Sequence, residues 1–164
     1  AAMRQTGVLG TVLPGSDDRW LGMVVHFEQL LQMSVDWRTR LAALGGEDID
    51  QRLRLSKADV KYLHRLKEAA YGAETVAAIA HTDGGDMARA VVVLRACLSE
   101  TPPDATVLDS IAQAETAVFP VQAADLMPEY TGPALGRRLA ELRAHWIASG
   151  FAATRDSLLN TPES

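Results

Sequence analysis

Aromatic side chains are scarce in this sequence, at 5% of 164 residues. Sheets draw on aromatic and β-branched residues; here Ala and Leu take their place, which favours packed helices. Cysteine is nearly absent. Cys97 alone excludes an internal disulfide framework and a multi-cysteine zinc site. It lies in the apolar run Val91–Leu98, where a buried thiol is expected rather than a nucleophile. No stretch reaches the roughly 20 apolar residues of a membrane span, and no basic-then-apolar leader is present. A soluble, cytoplasmic protein without a membrane partner is the expectation. The motifs of chemistry are missing too: there is no Gly-x-Ser-x-Gly elbow, no phosphate-binding loop of the Walker type and no dinucleotide fingerprint. The histidines His26, His64, His81 and His145 show no metal-ligand spacing.

What is present is enough for a core. Apolar residues make up 48% of the chain and charged residues 23%, near the globular average. That suits one domain, or one with a small appendage. A net charge of −5 argues mildly against nucleic-acid binding, but the charge is unevenly spread. Residues 1–70 carry 10 basic and 9 acidic side chains, residues 71–131 carry 2 and 9, and residues 132–164 carry 4 and 3. From Arg52 to Lys67 six Lys and Arg stand against Asp59 alone. Any RNA-binding face is therefore local, with the acidic middle of the chain turned away from phosphates.

The spacing predicts about ten helices in an irregular, all-α multi-helix bundle. Ala1–Thr6 has no cap and reads as the interior of a helix running to Leu13, which raises the expectation of chain upstream. Pro14-Gly15-Ser16-Asp17 stops that helix, and Ser16 or Asp17 is expected to cap the next. There Trp20, Val24, Phe27 and Leu31 recur at i, i+4, i+7 and i+11. Helices are expected at Trp37–Leu44 and about Asp48–Leu53, and Ser56-x-x-Asp59 resembles a capping box opening Lys57–Ala70. Glu74–His81 and Asp86–Leu98 follow. The valine run at 91–93 could form a strand, but Met87, Val91, Leu94 and Leu98 keep helical spacing. Thr101-Pro102-Pro103 is the clearest linker, which sets a body at 1–100 and a C-terminal tail region at 101–164 packed on it, or one continuous domain. In the tail Asp104 should cap a helix to Ala117. A turn near Ala123–Met127, a helix from Thr131 to Ser149 and a last one at Ala153–Leu159 complete the chain.

Three places invite a functional reading. Asp48-Ile49-Asp50 has the alternation with which two-metal enzymes hold magnesium, but alternation aligns two carboxylates only on a strand. The polar, basic flanks instead put these acids in the first turn of a helix, where negative charge is favourable. No catalytic or metal-binding residue emerges. The second place is the helix after Ser56, where Lys57, Lys61, His64 and Arg65 share one side. That stripe could follow a phosphate backbone; taken alone, it is better described as the solvated face of an amphipathic helix. The third is Gly132-Pro133-Ala134-Leu135-Gly136-Arg137-Arg138. Proline and glycines at a helix start expose backbone N–H groups to an anion, and Arg137 and Arg138 should lie away from the Leu135–Leu139–Leu142–Trp146 stripe. The alternative is a tight turn in which Gly136 permits close helix packing.

Phe119-Pro120-Val121-x-x-x-Asp125-Leu126-Met127, then Gly132-Pro133-Ala134-Leu135-Gly136-x-x-Leu139, then Trp146-Ile147-x-x-Gly150-Phe151 resemble the C-terminal portion of bacterial class II tRNA nucleotidyltransferases, the CCA-adding enzyme and poly(A) polymerase family. Thr6-Gly7-Val8-Leu9, Val12-Leu13-Pro14-Gly15 and Leu53–Ala58 are similar to upstream parts of the same region. Ala123 stands where the family usually has Gly, and Thr131-Gly132-Pro133 replaces Pro-Gly-Pro. The resemblance implies a parent enzyme that adds CCA to tRNA 3′ ends with magnesium, CTP and ATP. Its catalytic head and nucleotide-reading neck match nothing in this chain, so the chain would be inactive alone. Its partners would be tRNA and those N-terminal domains. As the body and tail that grip tRNA, it would place Lys57, Lys61, Arg65, Gly132, Gly136, Arg137 and Arg138 on one concave RNA-binding surface. Poly(A) addition, or a helical protein-interaction or dimerisation module, are the alternatives; the latter would show an exposed apolar groove instead of clustered cations.

Overall fold

The computed structural model describes residues 6–162. Among them the protein is all-α, with ten α-helices, one 3-10 turn and no strand. The helices are α1 (Val8–Val12), α2 (Leu21–Leu30), α3 (Trp37–Leu44), α4 (Ile49–Arg52), α5 (Lys57–Tyr71), α6 (Val76–Asp83), α7 (Gly85–Ser99), α8 (Val107–Thr116), α9 (Gly132–Ala148) and α10 (Arg155–Leu159), with the 3-10 turn at Ala123–Leu126. Two compact units result, divided between Ala112 and Gln113.

The first unit is organised around α7, against which α2, α5 and α6 pack. Here the valine run finds its explanation. Ala88, Val91, Val93 and Cys97 are fully buried, and Ala90 and Ala96 nearly so, so this helix is apolar on most sides because neighbours cover most sides. Leu98, placed on its apolar spacing, is exposed at 37%. On α2 Val24 and Phe27 are buried, as is Leu31 just beyond it. Full burial of one such side chain stabilises by about 1.5–3 kcal/mol. A smaller cluster of Leu13, Leu41, Ile49 and Leu63 ties the first turns to α3 and α5.

The ends of α5 show how local chemistry sets its length. Ser56 Oγ accepts from the Asp59 backbone N–H at 3.1 Å and donates to the Asp59 carboxylate at 2.6 Å. This is half of a capping box, with the carboxylate taking the serine hydroxyl instead of the cap's own N–H. At the other end Gly72 N–H bonds Glu68 O at 2.8 Å, and a Cβ on Gly72 would meet that same oxygen at 2.8 Å. Arg95 of α7 then donates to the carbonyls of Ala69, Ala70, Gly72 and Glu74. One guanidinium satisfies carbonyls that the helix end leaves open.

Several sequence expectations shift. The helix interior expected at residues 1–5 lies outside the described residues. Its continuation does not hold, because Gly7 is left-handed (φ 72°) and α1 starts after it. Neither Ser16 nor Asp17 caps α2: Ser16 Oγ donates to Leu13 O, Asp17 accepts from the Arg19 N–H, and the helix starts after Trp20 without a side-chain cap. Those two polar residues close the turn at 14–19 instead.

The second unit has its own core of Val121, Leu126, Leu142, Trp146 and Leu158. Phe119 and Phe151 flank the Trp146 ring at 5.5 and 4.9 Å between centroids, edge-tilted as aromatic quadrupoles prefer. Arg155 pairs with Asp125 at 2.8 Å and so links α10 to the 3-10 turn.

Candidate nucleic-acid interface

The basic stripe on α5 is divided by its partners. Lys57 and Lys61 are exposed, and neither has an ion-pair partner among the described residues. The same holds for Arg52 and Arg54, exposed just upstream. His64 is exposed and lies 3.6 Å from Glu68. Arg65 is different. Its guanidinium reaches Glu74 and Asp83, each at 2.7 Å, and its side chain is only a quarter exposed. These carboxylates raise the Arg65 pKa, and Arg65 in turn holds Glu74 below the usual carboxylate range. With its donors engaged at both carboxylates, Arg65 knits the α6 flanks to α5 and is not a free cation for phosphate.

An open groove of about 730 Å³ runs along this face. Half-buried Leu55 and Val60 contribute its apolar lining, and Lys57 and Lys61 stand at its edge with Asp50. It adjoins a hollow of about 290 Å³ that shares Asp50, Leu55 and Val60. Asp50 is exposed in the first turn of α4, where it is preceded by Asp48 at the N-cap with left-handed φ 50°. The helical reading of the Asp-x-Asp pair is thus the observed one. Among the described residues there is no group of three or more His, Cys, Asp or Glu placed to hold a metal ion. Cys97 is buried, and burial pushes its thiol up to about 11.

The second site is altered more deeply. Gly132 has φ 54° and is exposed, and Pro133 follows in the first turn of α9. A Cβ on Gly136 would meet nothing within 4 Å, so that glycine serves no close helix packing. Arg137 is exposed without an ion pair among the described residues. Arg138, expected on the outer side, is 5% exposed. It pairs with Glu141 at 2.9 Å and donates to the carbonyls of Thr161 and Pro162. Position 138 is one turn before Leu142, so its side chain follows the apolar stripe inward and holds the end of the second unit.

Of the seven residues singled out in the sequence, Lys57 and Lys61 stay together at the groove in the first unit, and Gly132, Gly136 and Arg137 stay exposed in the second. Arg65 and Arg138 are engaged internally. Sequence reasoning missed Arg65's engagement and Arg95's role, because these depend on residues 18 to 26 positions away. It missed Asp50's place in the groove because that depends on how α4 and the turn after it fold against α5. No helix among the described residues is long and apolar enough to cross a membrane. No family model, no curated protein and no solved structure matches the chain.

Proposed function

We propose that this chain is the RNA-holding body and tail of a tRNA nucleotidyltransferase, acting in the cytoplasm and contributing grip rather than chemistry. The observation that carries the RNA-binding part is the set Arg52, Arg54, Lys57 and Lys61, four exposed cations within ten residues that have no ion pair among the described residues, of which Lys57 and Lys61 line an open groove. Cations left unpaired in a chain of net charge −5, with so many carboxylates available, are poised for an external anion. Neutralising phosphates releases condensed counterions, which supplies most of the affinity for a nucleic-acid backbone. On α5, Lys57 and Lys61 are one turn apart, about 6 Å along the axis, so both reach the same side.

The tRNA assignment rests on the residue resemblance between Phe119 and Phe151. Val121, Leu126, Leu135, Leu139, Trp146 and Phe151 all belong to or pack on the second unit's core, so the resemblance speaks for how that unit is built. Within such an enzyme the catalytic domains, magnesium, CTP and ATP belong to other parts of the chain, and poly(A) addition is the related alternative. Duplex RNA is held by shape and backbone contacts, which suits exposed cations that have no ion pair among the described residues.

The test is binding of labelled tRNA against an unstructured RNA of equal length, at low and moderate salt. Preference for tRNA, weakened by salt and by Lys61→Glu or Arg137→Glu, supports the reading. Equal binding of both RNAs removes the tRNA assignment, and no binding at low salt overturns RNA holding by this chain.

A further inference from the structure

The groove beside α5 is not lined by cations alone. Asp50 shares it with Lys57 and Lys61, and its carboxylate has no hydrogen-bond or ion-pair partner among the described residues. The other acids on that lining are engaged, Asp83 with Arg65 at 2.7 Å and Glu68 near His64 at 3.6 Å. A free carboxylate within a phosphate-binding face repels the backbone it faces. The start of α4 favours that charge in the free protein; on binding RNA the repulsion is offset when the ligand brings a hydrogen-bond donor to it. In RNA the base-edge donors include the exocyclic amino groups of cytosine, adenine and guanine, with cytosine N4 the usual partner of Asp and Glu. Uracil has no amino group and offers only its imino N–H, while the ribose 2′-OH donates from every nucleotide and does not discriminate.

The groove's apolar lining, the feature expected of a protein-interaction module, here lies beside Lys57 and Lys61 and also suits a base. Leu55 and Val60 supply an apolar lining, the surface against which the face of a base is desolvated. About 730 Å³ lies within the 300–1,000 Å³ range of sites that take a small ligand. A base in a helix keeps its amino group on its pairing partner, whereas an unpaired base can be splayed out and read on its edges.

We propose that the groove takes one unpaired, amino-bearing nucleotide of a structured RNA, with Lys57 and Lys61 on its phosphates, its base against Leu55 and Val60, and Asp50 accepting from its amino group. This rests on the RNA-holding reading and adds a specificity residue to it.

The experiment uses one hairpin RNA in four forms: fully paired, and with a single bulged cytidine, adenosine or uridine. Binding to the whole chain is measured by fluorescence anisotropy at low salt. The expected result is that cytidine and adenosine bulges bind about 5-fold or more tighter than the uridine bulge, as one base-edge contact provides. Asp50→Ala should abolish that preference, while leaving the fully paired hairpin bound as well as before or slightly better. Asp50 is exposed, so a circular-dichroism spectrum equal to that of the unsubstituted chain controls for folding. Equal affinity for all three bulges, with the paired hairpin still bound, overturns the nucleotide site and leaves RNA holding intact. A preference that survives Asp50→Ala overturns the role of Asp50. Failure to bind any of the four RNAs overturns both.

Discussion

Lys61 and Arg65 lie one turn apart on the same helix, and substituting each by Gln separates RNA contact from internal structure. Lys61 has no ion pair among the described residues, so Lys61→Gln removes a charge without breaking an internal bond, and stability should change by no more than about 0.5 kcal/mol. Arg65 holds two carboxylates at 2.7 Å, with Arg65, Asp83 and Glu74 side chains 25%, 22% and 48% exposed. An exposed ion pair contributes about 0.2–1 kcal/mol, and bidentate geometry in a small network puts each of these at the upper end. Arg65→Gln should therefore cost about 1–2 kcal/mol, read as a lower urea midpoint with unchanged slope. The RNA readout should invert the order. A plot of log K against log salt flattens by about 0.7–0.9 for each phosphate that is no longer neutralised, so Lys61→Gln should flatten it by about that much and Arg65→Gln not at all. The reasoning is refuted if Arg65→Gln flattens the plot as Lys61→Gln does while stability stays unchanged, since the Arg65 charge would then be directed at RNA.

Three further outcomes follow from buried and open positions. Burial pushes the Cys97 thiol up to about 11, whereas an unfolded thiol ionises near about 8.5. The unfolded state therefore loses its proton first as pH rises, so this contribution is fully present below about pH 8.5 and declines above it. Urea unfolding should show about 2 kcal/mol less stability at pH 10.5 than at pH 8 from this group. Cys97→Ala should reduce that difference, and the native thiol should resist alkylation at pH 8. Tyr62, raised to about 12 chiefly by burial, adds a decline of the same sign beginning near pH 10. At Gly136 an added Cβ meets open space, so Gly136→Ala should stabilise α9 by about 0.5–1 kcal/mol through helix propensity. A drop in thermal stability of that variant would show that the position is crowded.

The helical class, the approximate positions of the helices and the burial of Cys97 could be read from the residues themselves, because period, breakers and caps act over three or four positions. Ser56 and Asp59, four-residue repeats such as Leu142 with Trp146, and the glycines after α3 are signals of that range. Asp50 within a helical first turn belongs to the same class. What a charged side chain meets was decided elsewhere. Arg65 looks identical to Lys61 in a helical wheel, and only the return of Glu74 and Asp83 beside it makes it internal. Arg138 resembles Arg137 beside it until Thr161 and Pro162 cover it. The valine run is a helix by its spacing, yet its burial on nearly every side depends on α2, α5 and α6 packing around α7. Secondary structure here follows from short-range backbone geometry, and the candidate site from which opposite charges the tertiary fold leaves unpaired.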